Sequence, residues 1–339
     1  MKAYAGIDLH SSNNFTAVID DQDQRLYGRR LPNTMDAVVS ALQPFREHLK
    51  GVVVESTFNW YWLVDGLQAH GYKLHLANPS AIKQYEGLKH TDDKWDSFWL
   101  AHMLRLNILP EGYIYPKEER TVRDLLRRRL MFVRHRTSHL LSLQSMVSRN
   151  CGTRISGNAI KRLESGDAAL LFDHPQLVAS AKNSIATIHF LTNRIKDIEQ
   201  EVSSRVMLRN EFASLRTITG IGEILALTIM LEVGDITRFA RVGNYSSYCR
   251  CVKAERLSGG KKKDKNNRKN GNKYLAWAYV EAANFAIRFS PYAQAFYQRK
   301  KAKTNGIVAI KALSNKLARA SYYIMRDRVP YDPEKLFSQ

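Results

Sequence analysis

Cysteine is scarce in this chain of 339 residues: Cys151, Cys249 and Cys251 are the whole supply. Three thiols build no disulfide framework, and none stands in the C-x-x-C spacing of a zinc or redox site. A reducing, cytoplasmic setting is therefore expected. The chain also lacks any run of roughly 18 apolar residues, so no membrane span is predicted. Met1–Leu9 holds an acidic residue and leads into a polar stretch, which does not read as a secretory leader. Hydrophobic residues still make up 44% and charged residues 25%, which excludes a disordered chain. The length suits two or three units of about 100–150 residues each.

Negative charge is in deficit. Lysine and arginine number 52 against 32 acidic residues, a net charge of +20. Such an excess favours a polyanion, because each cation that neutralises a phosphate releases condensed counterions. The excess is uneven. Residues 1–110 hold eleven basic against twelve acidic residues, Lys117–Arg162 twelve against three, and Arg250–Lys273 ten against two. Chemistry at one end and grip behind it is the expectation. Candidate phosphate contacts are Arg127, Arg128, Arg129, Arg134 and Arg136 in the first basic segment. The second offers Lys261, Lys262, Lys263, Lys265, Arg268, Lys269 and Lys273.

The opening reads as three short strands, Tyr4–Leu9, Phe15–Ile19 and Arg25–Leu31, followed by a helix from Met35 that Pro44 ends or kinks. Val52–Val54 is a β-branched run, as in a strand buried on both faces. A helix near Trp60–His70, a strand near Lys73–Leu76, a Pro79-led helix and a helix over Lys94–Leu106 complete the order. Strands and helices in that sequence match the RNase H fold. Next, Leu126, Leu130, Val133, Thr137, Leu140, Gln144 and Val147 form a heptad seam, and Ile188, Leu191, Ile195, Ile198 and Val202 a second. They suit a coiled-coil hairpin or dimerisation arm, or an ordinary bundle core. Thr219-Gly220-Ile221-Gly222 suits a helix–hairpin–helix turn in which Gly220 and Gly222 aim amides at a phosphate, or a plain helix–turn–helix. The Gly-, Asn- and Lys-rich stretch Leu257–Lys273 reads as a basic loop ahead of a helix over Tyr274–Phe289.

Four acids stand out. Asp8 lies inside an apolar strand, where a carboxylate is costly unless a positive group neutralises it. Glu55 ends the Val52–Val54 strand, and Asp93 and Asp96 share one helix face. Each has a plain alternative: Glu55 as a surface residue, Asp93 as a helix cap with Asp92 competing for that place. Brought together, four carboxylates would repel one another without a cation. Oxygen-only ligands suit Mg²⁺ or Mn²⁺.

Gly6-Ile7-Asp8-Leu9-His10, Val53-Val54-Glu55 and Lys89–Ser97 resemble the DEDD-type transposases of insertion sequences, the IS-one-ten family of bridge-RNA-guided recombinases. Thr219–Gly222, Glu232–Ile236, Phe239, Ser258-Gly259 and Lys269–Leu275 extend the likeness over nearly the whole chain. The resemblance implies a RuvC-like, RNase H-fold domain over 1–115 with Asp8, Glu55, Asp93 and Asp96 as its metal-binding acids. It implies a helical coiled-coil region over 116–207, and a mainly α transposase domain over 208–339 with Ser258 as nucleophile. It further implies DNA recombination through a phosphoserine intermediate, donor and target DNA chosen by a structured noncoding guide RNA, and dimers pairing into a tetramer in a bacterial, nucleoid-associated setting. Tyr248–Val252 departs from the Gly-Leu-x-Pro form that many members show, which leaves Ser246 and Ser247 as competitors of Ser258. The rival readings are a metal-dependent nuclease or junction resolvase that uses water, a non-catalytic RNA-binding scaffold, and a DNA-binding repressor.

Overall fold

The structure is a computed structural model that describes residues 1–82, 92–205, 210–252, 256–258, 261–263 and 270–338. Two compact units divide the chain, the first spanning Met1–Lys117.

In the first unit β1 (Ala3–Leu9), β2 (Asn13–Asp20) and β3 (Arg25–Pro32) form a meander, followed by α1 (Met35–Leu42). Then come β4 (Leu49–Glu55), α2 (Tyr61–Ala69), β5 (Leu74–Ala77), α3 (Asp93–Arg105) and the two-residue β6 (Glu111–Gly112). The sheet order is β3-β2-β1-β4-β5-β6, with β1, β4 and β5 parallel and the rest antiparallel. This mixed six-stranded sheet fits the expected RNase H-like domain. The Pro79-led helix is only a single turn, Pro79–Ala81. Residues 83–91 lie outside the described part.

Side-chain alternation sorts the two faces. Ala3, Ala5, Ile7, Leu9, Val52 and Val54 pack with Val38, Leu42, Leu63 and Leu67 of α1 and α2. On the other face Val53 meets Leu100 and Met103 of α3, and Ala17 and Ile19 meet Phe98 and Ala101. Gly6, Asp8 and Glu55 belong by parity to this α3 face. The edge strand β3 is largely exposed and carries Arg25, Arg29 and Arg30, charges that discourage edge-to-edge pairing.

The second unit is helical. The long α4 (Lys117–Cys151) is followed by the short α5 (Gly157–Ile160) and α6 (Ala168–Leu171) and the long α7 (Pro175–Arg205). Arg129 reaches Glu199 and Arg136 reaches Thr192, so α4 and α7 run antiparallel. Leu140, Leu143 and Val147 bury against Ile185 and Ile188. Thr137 faces solvent, and Gln144 donates to the Ile155 carbonyl at 2.7 Å. Next come α8 (Asn210–Arg216), α9 (Glu223–Val233), α10 (Val242–Tyr248), a hairpin of β7 (Arg256–Ser258) and β8 (Lys261–Lys263), and α11 (Lys273–Phe289). The chain closes with α12 (Pro291–Lys303), α13 (Gly306–Asp327) and α14 (Pro333–Phe337). Where sequence suggested only a loop, Arg256–Ser258 thus pairs antiparallel with Lys261–Lys263, Ser258 opposite Lys261. Leu225–Val233 is buried throughout, packed among residues of α8, α10, α11 and α13. No described helix is long and apolar enough to cross a membrane.

Candidate metal centre

A glycine sets the geometry. A Cβ on Gly6 would collide with the Ser97 carbonyl oxygen and stand 2.9 Å from the Ala101 amide nitrogen. Glycine in a strand interior marks such close approach, and here it seats α3 directly on β1. The start of that helix is fixed by Asp92, whose carboxylate accepts the Trp95 N–H at 2.7 Å. With Asp92 as cap, Asp93 and Asp96 are released to face the sheet. Ser97, fully buried, accepts the Asp8 N–H at 3.3 Å, and its hydroxyl lies 2.8 Å from the Asp93 carbonyl and 2.9 Å from that of Phe15.

Asp8 is 4% exposed. Register places Ile7 beside Val54, which brings Glu55 next to Asp8 on the neighbouring parallel strand, and the two carboxyl groups hydrogen-bond each other. Burial, then the hydrogen bond and charge of Asp8, push the Glu55 carboxyl up to about 8. Burial also raises Asp8, against lowering contributions from the Glu55 hydrogen bond and from His10. Asp96 is raised to about 6 by burial and then by the charges of Asp8, Asp93 and Asp92. One of its oxygens, Oδ1, is buried with no hydrogen-bond partner among the described residues. Carboxylates this crowded hold protons to higher pH unless positive charge joins them.

Two nitrogen-bearing side chains reach in. His10 Nε2 lies 3.2 Å from Asp8 Oδ2 and 3.1 Å from Asp93 Oδ1, while Arg30 Nη2 lies 2.5 Å from Asp93 Oδ2. Ligand atoms of Asp8, His10 and Asp93 fall within 4.8 Å of one another. Glu55 touches Asp8, and Asp96 acts on both through its charge. An orphaned carboxylate oxygen, raised carboxyl groups and a mainly oxygen donor set fit a hard divalent cation.

His10 and Arg30 escaped sequence reasoning as members of this cluster. His10 had a readable signal, since residues two apart on a strand share a face. Arg30 had none, for it arrives from an edge strand 63 positions before its partner.

Most of the other expected site residues lie in the second unit. Ser258 ends β7, with its backbone paired to Lys261. The side chains of Ser258, Lys261, Lys262 and Lys263, and all of Lys265, Arg268 and Lys269, fall outside the described residues. Arg127 forks onto Glu232 at 2.6 and 2.8 Å, Arg129 pairs with Glu199, and Arg136 bonds Thr192. Arg128, Arg134 and Lys273 are exposed. Gly220 has φ +100°, and a Cβ there would collide with the Ala282 carbonyl oxygen and stand 2.8 Å from the Ala286 amide of α11. Its freedom therefore serves helix packing. Gly222 opens α9 with free space about it.

The segment holding Ser258 is anchored where it begins and ends. Arg250 Nε donates to the Gly271 carbonyl at 3.1 Å, and Asn272 N–H donates to the Tyr248 carbonyl at 2.6 Å. Asn272 caps α11 through Tyr274 and Leu275, and its amide donates to Glu232 at 2.7 Å. Glu232, 2% exposed, thereby ties α4, α9 and the start of α11 together.

Comparison with known proteins agrees with this geometry. Residues 5–151 match a family profile for DEDD transposases of the IS110 group, described as "Transposase". Residues 213–298 match the "Transposase IS116/IS110/IS902 family". A Sinorhizobium fredii protein carried under a transposase name (y4qE) is 23% identical over 301 residues, covering 86% of this chain and 73% of the relative. The transposase for insertion sequence element IS1111A of Coxiella burnetii is 23% identical over 290 residues, covering 84% and 77%. The chain belongs to the IS110 family of DEDD transposases, metal-using enzymes that cleave DNA and transfer its strands.

Proposed function

We propose that Asp8, Glu55, Asp93 and Asp96 together hold Mg²⁺, with Mn²⁺ able to replace it, and that Ser258 attacks the scissile phosphate. The observation that carries the metal reading is the contact between the buried Asp8 and the half-buried Glu55, two carboxyl groups sharing a hydrogen bond beside Asp96 Oδ1, which has no hydrogen-bond partner among the described residues. A divalent ion there would supply the positive charge that stabilises negative charge developing on the phosphate oxygens. Asp8, Glu55, Asp93 and Asp96 bind, with His10 and Arg30 holding Asp93 in place.

In the transesterification the Ser258 oxygen forms a bond to phosphorus as one sugar–oxygen bond to phosphorus breaks. The departing strand leaves as a hydroxyl, which takes up the serine's proton. Attack by a strand hydroxyl on the phosphoserine reverses these changes, restores the serine and joins the new ends. The number of phosphoester bonds is conserved, so no external energy source is needed. The hydroxyl needs activation to act, and no histidine stands near Ser258 in sequence. The reading therefore assigns that help to an acid cluster supplied by another subunit.

In this reading residues 1–115 are the metal-binding domain, 116–207 a coiled-coil region through which dimers pair into a tetramer, and 208–339 the serine-bearing transposase domain. Support for the middle part comes from the antiparallel α4 and α7. A structured guide RNA that selects donor and target sites is the proposed further partner. The net charge of +20 and the exposed Arg128, Arg134 and Lys273 support binding of nucleic acid. Gly222 and the basic residues 261–273 are assigned to phosphates beside the serine.

The test is DNA cleavage with Mg²⁺, resolved on a denaturing gel. The wild type should give a protein–DNA adduct that Ser258→Ala abolishes and Asp8→Asn prevents from forming. Cleavage without an adduct would transfer the reaction to water and remove the serine's role. A discrete RNA co-purifying with the protein is the expected sign of guidance.

A further inference from the structure

Helix α3 carries a row of aromatic rings along one face. Trp95, Trp99 and His102 follow one another at four- and three-residue intervals, so their side chains line up along the helix. They are in ring contact throughout. Trp95 and Trp99 stack with centroids 5.3 Å apart and planes 12° apart, and Trp99 and His102 at 5.1 Å and 28°. All three are only half-buried. Among the described residues the buried indole N–H of Trp99 has no hydrogen-bond partner, and the ring is held by packing and stacking.

These rings border a groove of about 230 Å³. Across it, the exposed Arg25 lays its guanidinium 4.4 Å over the Phe98 ring. Among the described residues the one carboxylate on the groove is Asp23, which is bound by Arg105 and His102, and this quenches its repulsion of an anion. A planar aromatic ladder, a guanidinium beside it and a neutralised floor make a stacking platform for flat, electron-rich rings attached to phosphate.

The ladder starts next to the acids. Trp95 directly precedes Asp96, and at 3.6 residues per turn their side chains point about 100° apart around the helix. From Trp95 to His102 the track runs roughly 10 Å away from the acid cluster.

We propose that this groove binds an unpaired nucleobase of the DNA strand whose phosphate lies at the acid cluster, stacked on Trp95 and Trp99 with Arg25 at the adjoining phosphate. Paired bases hide their faces within the duplex, so the platform selects strand that has been opened. The proposal rests on the reading of the acids as the site of DNA cleavage. It gives them a subsite that holds melted strand beside the scissile bond.

The test uses the full-length protein in EDTA with short oligodeoxynucleotides carrying 2-aminopurine. Single strands should bind with quenched fluorescence. Trp95→Ala should lose the quenching and weaken single-strand binding roughly tenfold, Trp95→Phe should restore most of it, and duplex binding should be unchanged. Wild-type single-strand affinity from Trp95→Ala, phenylalanine as poor as alanine, or equal loss on duplex would each overturn the proposal. So would an abasic oligonucleotide that binds as well as the intact one. An RNA strand bound more tightly, with the same dependence on Trp95, would overturn DNA as the source of the base. Trp99→Phe repeats the test at a more deeply packed ring, with thermal melting as the check of folding. Cleavage is measured separately with Mg²⁺, so failure of the metal reading and failure of the platform are distinguishable.

Discussion

Gly6 lies directly beneath Ser97, closer than any side chain would permit. The contact between a strand without a Cβ and a helix backbone sets the distance between Asp8 and the two acids of α3. Gly6→Ala must push α3 outward. Overpacking of this kind costs about 1–3 kcal/mol. Activity should suffer more than stability, because the acids of helix and sheet separate. Paired melting and Mg²⁺-dependent cleavage assays check this, and an alanine variant with full cleavage would refute it.

Glu55 supplies a pH dependence with a definite sign. Its carboxyl rises from the ordinary 4.5 to about 8 in the folded chain, so the native state holds a proton that the unfolded chain gives up. The associated stability is complete below about pH 4.5 and lost as pH climbs through about 8. Without divalent metal, Tm should fall across that interval. Glu55→Gln should flatten the fall, and millimolar Mg²⁺ should oppose it. A metal-free Tm that rises between pH 5 and 8 in the wild type but not in Glu55→Gln would contradict this.

Asp23 has the opposite sign. Partial burial raises its carboxyl, but the hydrogen bonds from His102 and Arg105 win and hold it below the ordinary 3.8. Stability from this contact is present above pH 3.8 and lost as pH falls through the lowered value. Asp23 is half-exposed, so solvent screening keeps the gain small, below about 1 kcal/mol. Asp23→Asn should lower Tm slightly at pH 7 and match the wild type in strong acid. Asparagine also tolerates the left-handed backbone found there, φ 63°.

Glu232 should be the most sensitive acid of the second unit. Removing it leaves the partly buried Arg127 guanidinium with only the longer ion-pair contact to Asp124, 3.7 Å, and one Asn272 amide hydrogen unpaired, at a cost of about 2–4 kcal/mol. Glu232→Ala should therefore unfold at markedly lower denaturant, whereas Glu223→Ala, at the exposed start of α9, should change little. Chemical denaturation of both variants gives the comparison.

The sheet was legible because its strands announce themselves: Val52–Val54 is continuous and β-branched, and Asp8 is conspicuous inside an apolar run. Both helical seams were legible from heptad spacing. What could not be read was approach in space. Nothing near Arg30 in sequence says that it meets Asp93. The stacking of Trp95, Trp99 and His102 is consistent with their spacing, yet the same spacing would serve a buried core. Arg127 looked like one more phosphate ligand among neighbours of the same charge, and only the fold reveals Glu232 beside it.

The clasp between Arg250 and Gly271 carries a consequence for chain length. Chain that leaves the helical core and returns to the same spot can be lengthened or rewritten with little cost to the core, since doubling a closed loop adds only about 0.6 kcal/mol. The clasp therefore lets the length of chain between Arg250 and Gly271 change at little cost to the helical core, while the serine proposed to react stays tied to the same scaffold.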